Sequence, residues 1–328
     1  MPSLTTVQIL TIEELPAELT APWGTLVWSD QDYPLDQAHF QRARALGVPL
    51  AEYGGFVAVE GNRVLAQVTV EYYSLTTRHG RETFAGVAGV VTRPDALRRG
   101  LCSRLLEEVH RRESSRGCRL AMLWTRRSWG AHRLYERLGY RDLYSPPTAV
   151  LPPGAGAPPR LPTGFMVRTA RRADSTLLES LFARAAARRY GFVTRFPNSF
   201  GARFTMAWRA SKDHHILFRG SRPVGYFFTS ENPRSLGVYE GAVTERKLLP
   251  RLLDAIQWYA RGRWVAFAHT TLVNDARALL RARGFSLAPD SHAVLMARSL
   301  SGSPSSRMVS LRQMARDPRF SCHRGDMF

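Results

Sequence analysis

Polar and apolar residues alternate over residues 64–73, where Gln67, Thr69 and Glu71 interleave with Val68, Val70 and Tyr72. A period of two predicts a strand with one face more polar than the other. The turn Glu60-Gly61-Asn62-Arg63 joins it to a strand at 56–59. A second apolar run, Val87-Ala88-Gly89-Val90-Val91, predicts a strand that passes through Thr92-Arg93-Pro94 into the loop Leu97-Arg98-Arg99-Gly100-Leu101-Cys102. That loop opens a helix, because Leu101, Leu105, Leu106 and Val109 recur at helical spacing and Gly117 closes the pattern. A strand at 119–124 and a helix at 131–138, stopped by Gly139-Tyr140, complete a strand–turn–helix–strand–helix unit. Upstream, 6–12 reads as a first strand and 37–46 as a helix.

The pattern breaks at 151–160, a run rich in proline and glycine with the stiffness of a connector. Beyond it the plan repeats. A strand at 165–168 precedes a helix at 172–190 with Leu177, Leu178, Leu181, Phe182 and Ala185 on its apolar side. Strands at 215–218, 224–229 and 236–243, a helix at 245–259, a strand at 264–268, a helix at 274–283 and a last strand at 293–298 follow. Residues 301–328 begin SGSPSS and stay polar, which reads as a disordered tail. The expected division is therefore 1–150, a linker at 151–164, a second lobe at 165–300 and a tail at 301–328. With strands and helices interleaved in both halves, the class is α/β (α+β).

Composition refines this picture in three places. A length of 328 residues suits two domains, and a hydrophobic fraction of 44% is that of a globular protein. No apolar run is long enough to span a membrane, and the first residues lack the regions of a signal peptide. Cys102, Cys118 and Cys322 are odd in number and without metal-ligand spacing, so no metal is expected and a reduced cytoplasmic setting is. The net charge of +19 raises the question of nucleic acid. The excess is arginine scattered through the chain, Lys212 and Lys247 being the only lysines, and no zinc finger, recognition helix or aromatic RNA-binding strand accompanies it. The scatter reads as a compositional habit of the source, and a basic surface would also steer an anionic cofactor.

A strand that turns through glycine into a helix presents unpaired amides and the positive end of the helix dipole, a phosphate-binding arrangement. Gly100 allows close backbone approach, and Arg98 and Arg99 add pairable charge. An ordinary βα turn would look the same. Two motifs decide the matter: Leu97-Arg98-Arg99-Gly100-Leu101-Cys102 in the register Q/R-x-x-G-x-G/A, and Ala131-His132-Arg133-Leu134-Tyr135-Glu136-Arg137-Leu138-Gly139-Tyr140 in the register A-x-x-x-Y-E-x-x-G-F/Y. Over residues 50–145 the chain thereby resembles the GNAT superfamily of acetyl-CoA-dependent N-acyltransferases. It departs from the pattern at Leu97 and Cys102, and Ser128 stands where many members carry Asn.

The resemblance implies a fold and a set of roles. It implies two tandem GNAT-like lobes, each a mixed central sheet flanked by helices, with 1–150 catalytic. Val90, Val91 and Thr92 would pair with the pantetheine arm of acetyl-CoA. Arg98, Arg99, Gly100, Leu101, Cys102 and Ser103 would hold its phosphates, with Ser128 and Ala131 completing the cofactor set. Tyr135 would protonate the departing thiolate after direct attack by a primary amine; otherwise it is a helix residue packed beside Leu134 and Leu138. Glu71, on the strand expected beside 87–92, is the candidate base for the amine's proton, or else a surface carboxylate paired with an arginine. Cys102, in the phosphate loop, is misplaced for a nucleophile. Trp23, Trp28, Asp30, Asp32 and Tyr33 would wall the acceptor pocket or form a solvated loop. In the second half, Asn274-Asp275-Ala276, Leu280 and Gly284-Phe285 resemble a worn copy of the second motif. No glycine loop follows 240–247, Glu245 would repel phosphate, and Leu280 takes the place of Tyr135. That lobe is expected to have lost acyl-CoA binding and to pack against the first or close its acceptor pocket. In tandem GNAT proteins of the enhanced-intracellular-survival type the terminal carboxylate can enter the active site, which brings Phe328 into view as a base. The rival reading is a non-catalytic acyl-CoA sensor or interaction protein.

Overall fold

The long alternating runs become long strands, and these fall into two sheets. The computed structural model describes residues 6–31, 37–154, 160–187, 189–206, 214–268, 270–289, 292–301 and 304–322. In the first half the order is β1 (Gln8–Thr11), α1 (Thr20–Gln31), α2 (Gln37–Ala45), β2 (Leu50–Glu60), β3 (Arg63–Thr77), β4 (Gly80–Thr92), α3 (Leu101–Ser115), β5 (Leu120–Arg126), α4 (Gly130–Arg137), β6 (Arg141–Tyr144) and β7 (Thr148–Leu151). In the second it is β8 (Phe165–Thr169), α5 (Ser175–Ala186), β9 (Tyr190–Thr194), α6 (Ser199–Thr205), β10 (His214–Arg219), β11 (Arg222–Glu231), β12 (Ser235–Val243), α7 (Leu249–Ala260), β13 (Trp264–Phe267), α8 (Leu272–Asp275), α9 (Arg277–Ala282), β14 (Ser286–Ala288), β15 (Ala293–Ser299), α10 (Pro304–Ala315) and β16 (Phe320–Ser321).

The first sheet runs β1-β2-β3-β4-β5-β15-β6, and the second β14-β7-β13-β12-β11-β10-β8. Each sheet thus contains a strand from the other half of the chain. β15 lies between β5 and β6, pairing Leu295 with Trp124 and Arg298 with Ala121. β7 lies between β13 and β14. The division expected at residue 150 therefore cuts through a strand of the second sheet, and the last strand of the segment 165–300 belongs to the first. A third connection is β9, which pairs with the far end of β3, Ser74 opposite Thr194, where β2 has stopped.

Strand alternation sorts the first core into two layers. Phe56, Ala58, Ala85, Val87, Ala121 and Leu123 face α3 and α4 with Leu105, Leu106, Val109 and Tyr135. On the opposite face, Val57, Val59 and Val91 pack on Trp23 and Phe40 of α1 and α2. Further along that face Phe84, Met122 and Leu295 pack on Leu311 and Met314 of α10 and on Phe320. Residues 304–322 are thus ordered and packed, where a disordered tail was expected over 301–328. Pro304–Ala315 is a helix, and Leu311, Met314, Phe320 and Cys322 are buried. Its apolar residues are too sparse to show a sequence pattern, but they meet a sheet face left uncovered by other elements. No helix among the described residues is long and apolar enough to cross a membrane.

Candidate active site

Parallel strands β4 and β5 stay together for a short distance only. Ala85 pairs with Ala121 and Gly86 with Met122; past these β4 runs on to Thr92 and β5 to Arg126 with no further pairing between them. β5 remains bonded to β15 along this stretch and β4 to β3, so the two diverge and the backbone of 87–92 presents an open edge. A bulge shapes that edge. Thr69 opposes Ala88 and Gln67 opposes Val91, so β4 carries an extra residue at Gly89-Val90. Gly89 is left-handed, φ +52°, and a Cβ there would stand 3.0 Å from Thr69 Oγ1 and 3.1 Å from Gln67 Nε2. Gln67 Nε2 donates to the Gly89 carbonyl at 3.0 Å, and Trp23 Nε1 donates to Gln67 Oε1. Trp23 is therefore a buried anchor within α1 and not part of a loop wall, while Trp28 is exposed. The side chain of Asp30, together with Asp32, Tyr33 and Phe328, lies outside the described residues. Gln67 was legible only as a polar residue on the polar face of its strand; its partner lies 44 residues away.

The open edge leads into the glycine turn. The Arg93 amide donates to the Leu65 carbonyl, which holds the end of β4 to β3. Arg98 and Gly100 are left-handed, φ 64° and 74°, and Gly100 caps α3 without any side-chain cap. The first helical bond at this end runs from the Arg104 amide to the Gly100 carbonyl, and the amides of Leu101, Cys102 and Ser103 have no acceptor within the helix. Val90, Val91 and Thr92 form the end of β4, and residues 98–103 form the turn and the first residues of α3. The side chain of Arg99 turns away, however, held by Glu60 at 2.5 and 3.2 Å. Leu97 is exposed. Burial pushes the Cys102 thiol up to about 11, so the sulfur is a neutral packing group at neutral pH. Across the opening, Ser128 is an exposed turn residue after β5, and Ala131 lies in the first turn of α4 against the core.

Tyr135 and Glu71 lie on opposite faces of the sheet at this opening. Tyr135 is buried among the α3 and α4 layer, its ring edge-on to Tyr140 at 5.9 Å. Glu71 sits on β3 directly opposite Gly86, the residue at which β4 leaves β5. Tyr73, on the same face as Glu71, stacks on Phe84 and donates its hydroxyl to Glu71 Oε2 at 2.5 Å. Burial holds the Glu71 carboxyl above the usual carboxylate range, and the bond from Tyr73 opposes this in part. Glu71 is therefore not a surface carboxylate paired with arginine. Among the described residues no cluster of His, Cys, Asp and Glu is arranged to hold a metal ion.

Known proteins share the fold of this chain. Residues 27–142 match the family description "Acetyltransferase (GNAT) domain". A probable N-acyltransferase from Enterococcus faecalis V583 superposes with a TM-score of 0.66 at 15% identity, over 90% of this chain and 73% of that one. A tandem GNAT protein from the clavulanic acid biosynthesis pathway gives 0.54 at 15% identity, over 91% of this chain and 100% of its own. The Saccharomyces cerevisiae N-myristoyltransferase, solved with bound myristoyl-CoA, gives 0.55 at 11% identity, over 91% and 84%. No curated protein sequence matches the chain. The chain is a tandem GNAT-fold protein.

The second lobe of this tandem GNAT fold keeps the parting of strands but fills it. β12 and β13 pair from Ser235–Trp264 to Val238–Phe267, after which β12 continues to Val243 beside β11 only. A Cβ on Gly241 would meet Leu272 Cδ2 at 2.8 Å and Leu252 Cδ2 at 3.4 Å. Glu240, fully buried, accepts from Arg195 at 2.8 and 3.0 Å, from Arg203 at 3.2 Å, and from the Tyr226 hydroxyl. Leu280 is buried in α9. On the Glu71 side of the first sheet, this lobe supplies β9, whose Phe192 packs edge-on to Phe84. The Pro197 carbonyl lies 3.8 Å from where a Cβ of Gly47 would stand.

Proposed function

We propose that this protein is an N-acyltransferase that moves an acetyl group from acetyl-CoA to a primary amine at the first lobe, with the second lobe serving as a wall of the acceptor side. The observation that carries the reading is the parting of β4 and β5 at Gly86 and Met122, which leaves an open strand edge that ends in a glycine turn and an uncapped helix start. An extended pantetheine arm suits the edge at Val90, Val91 and Thr92, as an added strand does. A pyrophosphate suits the amides of 98–103 and the α3 dipole. Arg98 can add side-chain charge, whereas Arg99 contributes through its backbone because Glu60 holds its guanidinium. Ser128 and Ala131 form the opposite bank.

Glu71 and Tyr135 divide the proton work by face. The amine approaches from the Glu71 side, where the carboxylate, directly or through water, takes its proton. The amine nitrogen then bonds to the thioester carbonyl carbon, backbone amides at the strand edge stabilise the oxyanion, and the C–S bond breaks. Tyr135, on the other face, gives its phenolic proton to the sulfur and is reprotonated, through solvent, by the second proton that the attacking nitrogen loses as the amide forms. Cys102, Cys118 and Cys322, none of them in a disulfide, suit a reduced cytoplasmic setting.

A CoA-release assay with acetyl-CoA and a panel of amines tests the reading. Tyr135→Phe is expected to lower turnover by about two orders of magnitude while leaving acetyl-CoA binding intact. Equal turnover in the variant removes Tyr135 from the mechanism. Tight acetyl-CoA binding without turnover on any amine favours a sensor in place of an enzyme.

A further inference from the structure

Behind Tyr135 lies a polar chain that the proposed chemistry does not use directly. It starts on β15, the strand contributed by the second half of the molecule. One nitrogen of the Arg298 guanidinium, Nη1, donates to the carbonyl of Leu138, the residue that caps the C-terminal end of α4. The same nitrogen lies 2.8 Å from His110 Nδ1 on α3. A guanidinium has donors only, so Nδ1 must accept. The proton of the neutral imidazole is then on Nε2, which lies 2.9 Å from the Tyr140 hydroxyl oxygen and donates to it. Tyr140, fully buried, is the ring against which Tyr135 packs at an interplanar angle of 64°. Burial and the neighbouring guanidinium hold His110 down to about 3, so the polarity of this chain does not change near neutral pH.

We infer that Arg298, His110 and Tyr140 are positioning residues for Tyr135, through which the exchanged strand fixes both the end of the helix that carries Tyr135 and the ring that orients it. The inference rests on the reading of Tyr135 as the general acid. An apolar trio of similar volume would fill this layer without desolvating a guanidinium. The polar chain adds direction: each bond determines which way the next group donates. None of the three residues lies on the β4 edge or in the glycine turn.

The test compares R298M, R298K, Y135F and the R298M/Y135F pair, with kcat and KM for acetyl-CoA measured on a responsive amine and thermal melting followed in parallel. R298M is expected to lower kcat by about tenfold or more while KM for acetyl-CoA stays near the wild-type value, because misplacing a reacting group costs rate more than binding. R298K is expected to recover most of the loss, since an ammonium can still donate to Leu138 and His110. In the Y135F background R298M is expected to cost little more, because both changes act through one group. An equal fold-loss from R298M in wild type and in the Y135F background overturns the positioning role and leaves Tyr135 as the acid. Wild-type turnover in Y135F alone removes the acid reading, and this inference with it. Nitrogen-15 NMR provides a readout that needs no acceptor: the neutral Nε2–H tautomer of His110 is expected, and the Nδ1–H tautomer overturns the chain.

Discussion

At the scale of single residues, burial decides how Glu71 behaves. Glu71 must lose its proton to act as a base, and its partly dry position raises the pH at which it does so. Activity is therefore expected to fall on acidification through a pKa above the ordinary carboxylate value, because the protonated acid cannot accept the amine's proton. Glu71→Gln is expected to lower kcat/KM by about two orders of magnitude and to abolish that acidic limb. A glutamine variant with an unchanged pH profile assigns the limb to another group. Tyr135 was legible because it falls in a spaced motif. Glu71 was visible only as one polar residue in an alternating strand, and its place opposite Gly86 depends on a strand register that no local pattern specifies.

At the scale of elements, β4 does most of the work of the proposed site. It is paired on one side by β3, free on the other beyond Gly86, and bulged at Gly89-Val90. Gly89→Ala tests the bulge. A side chain at φ +52° is strained by about 1–3 kcal/mol, and its Cβ would press on Thr69 and Gln67. The variant is expected to lose stability by about that amount and to raise KM for acetyl-CoA by roughly tenfold, since the edge that would bind pantetheine is displaced. Unchanged KM in a folded variant detaches the bulge from cofactor binding. Other elements escaped the sequence pattern for identifiable reasons. α1 contains Pro22, Gly24 and Thr25 and a weak apolar face, so a loop was expected where a helix buries Trp23. β9 was not expected: the helix before it is predicted to run to Tyr190 and no strand is predicted at 191–194, because Tyr190–Thr194 becomes a strand by pairing with β3 and β16.

At the scale of the whole molecule, the exchange of β7 and β15 makes the lobes depend on each other. β15 is an internal strand of the first sheet and β7 of the second, so neither sheet is complete without residues from the other half. The two lobes are expected to unfold in a single calorimetric transition with matching van't Hoff and calorimetric enthalpies. Two well-separated transitions would show that each sheet survives the loss of its borrowed strand. The buried Glu240 cluster reinforces this coupling. Arg195, held by Glu240 in the second sheet, directly follows the strand that extends the first.

The sequence by itself determined the local features: the glycine turn into α3, the spacing that puts Tyr135 on α4, the absence of such a turn after β12, and the alternation of layers in the longer strands. Each of these depends on residues within a turn or two of one another, where periodicity and backbone preference act directly. Only the tertiary structure decided the exchange of strands, the helix at Pro304–Ala315, the anchoring of Gly89 by Gln67 and Trp23, and the meeting of Arg298 with His110 across 188 residues. These rest on contacts between distant segments. Such contacts are chosen by which sheet edge remains open and which apolar face remains uncovered once the local elements have formed.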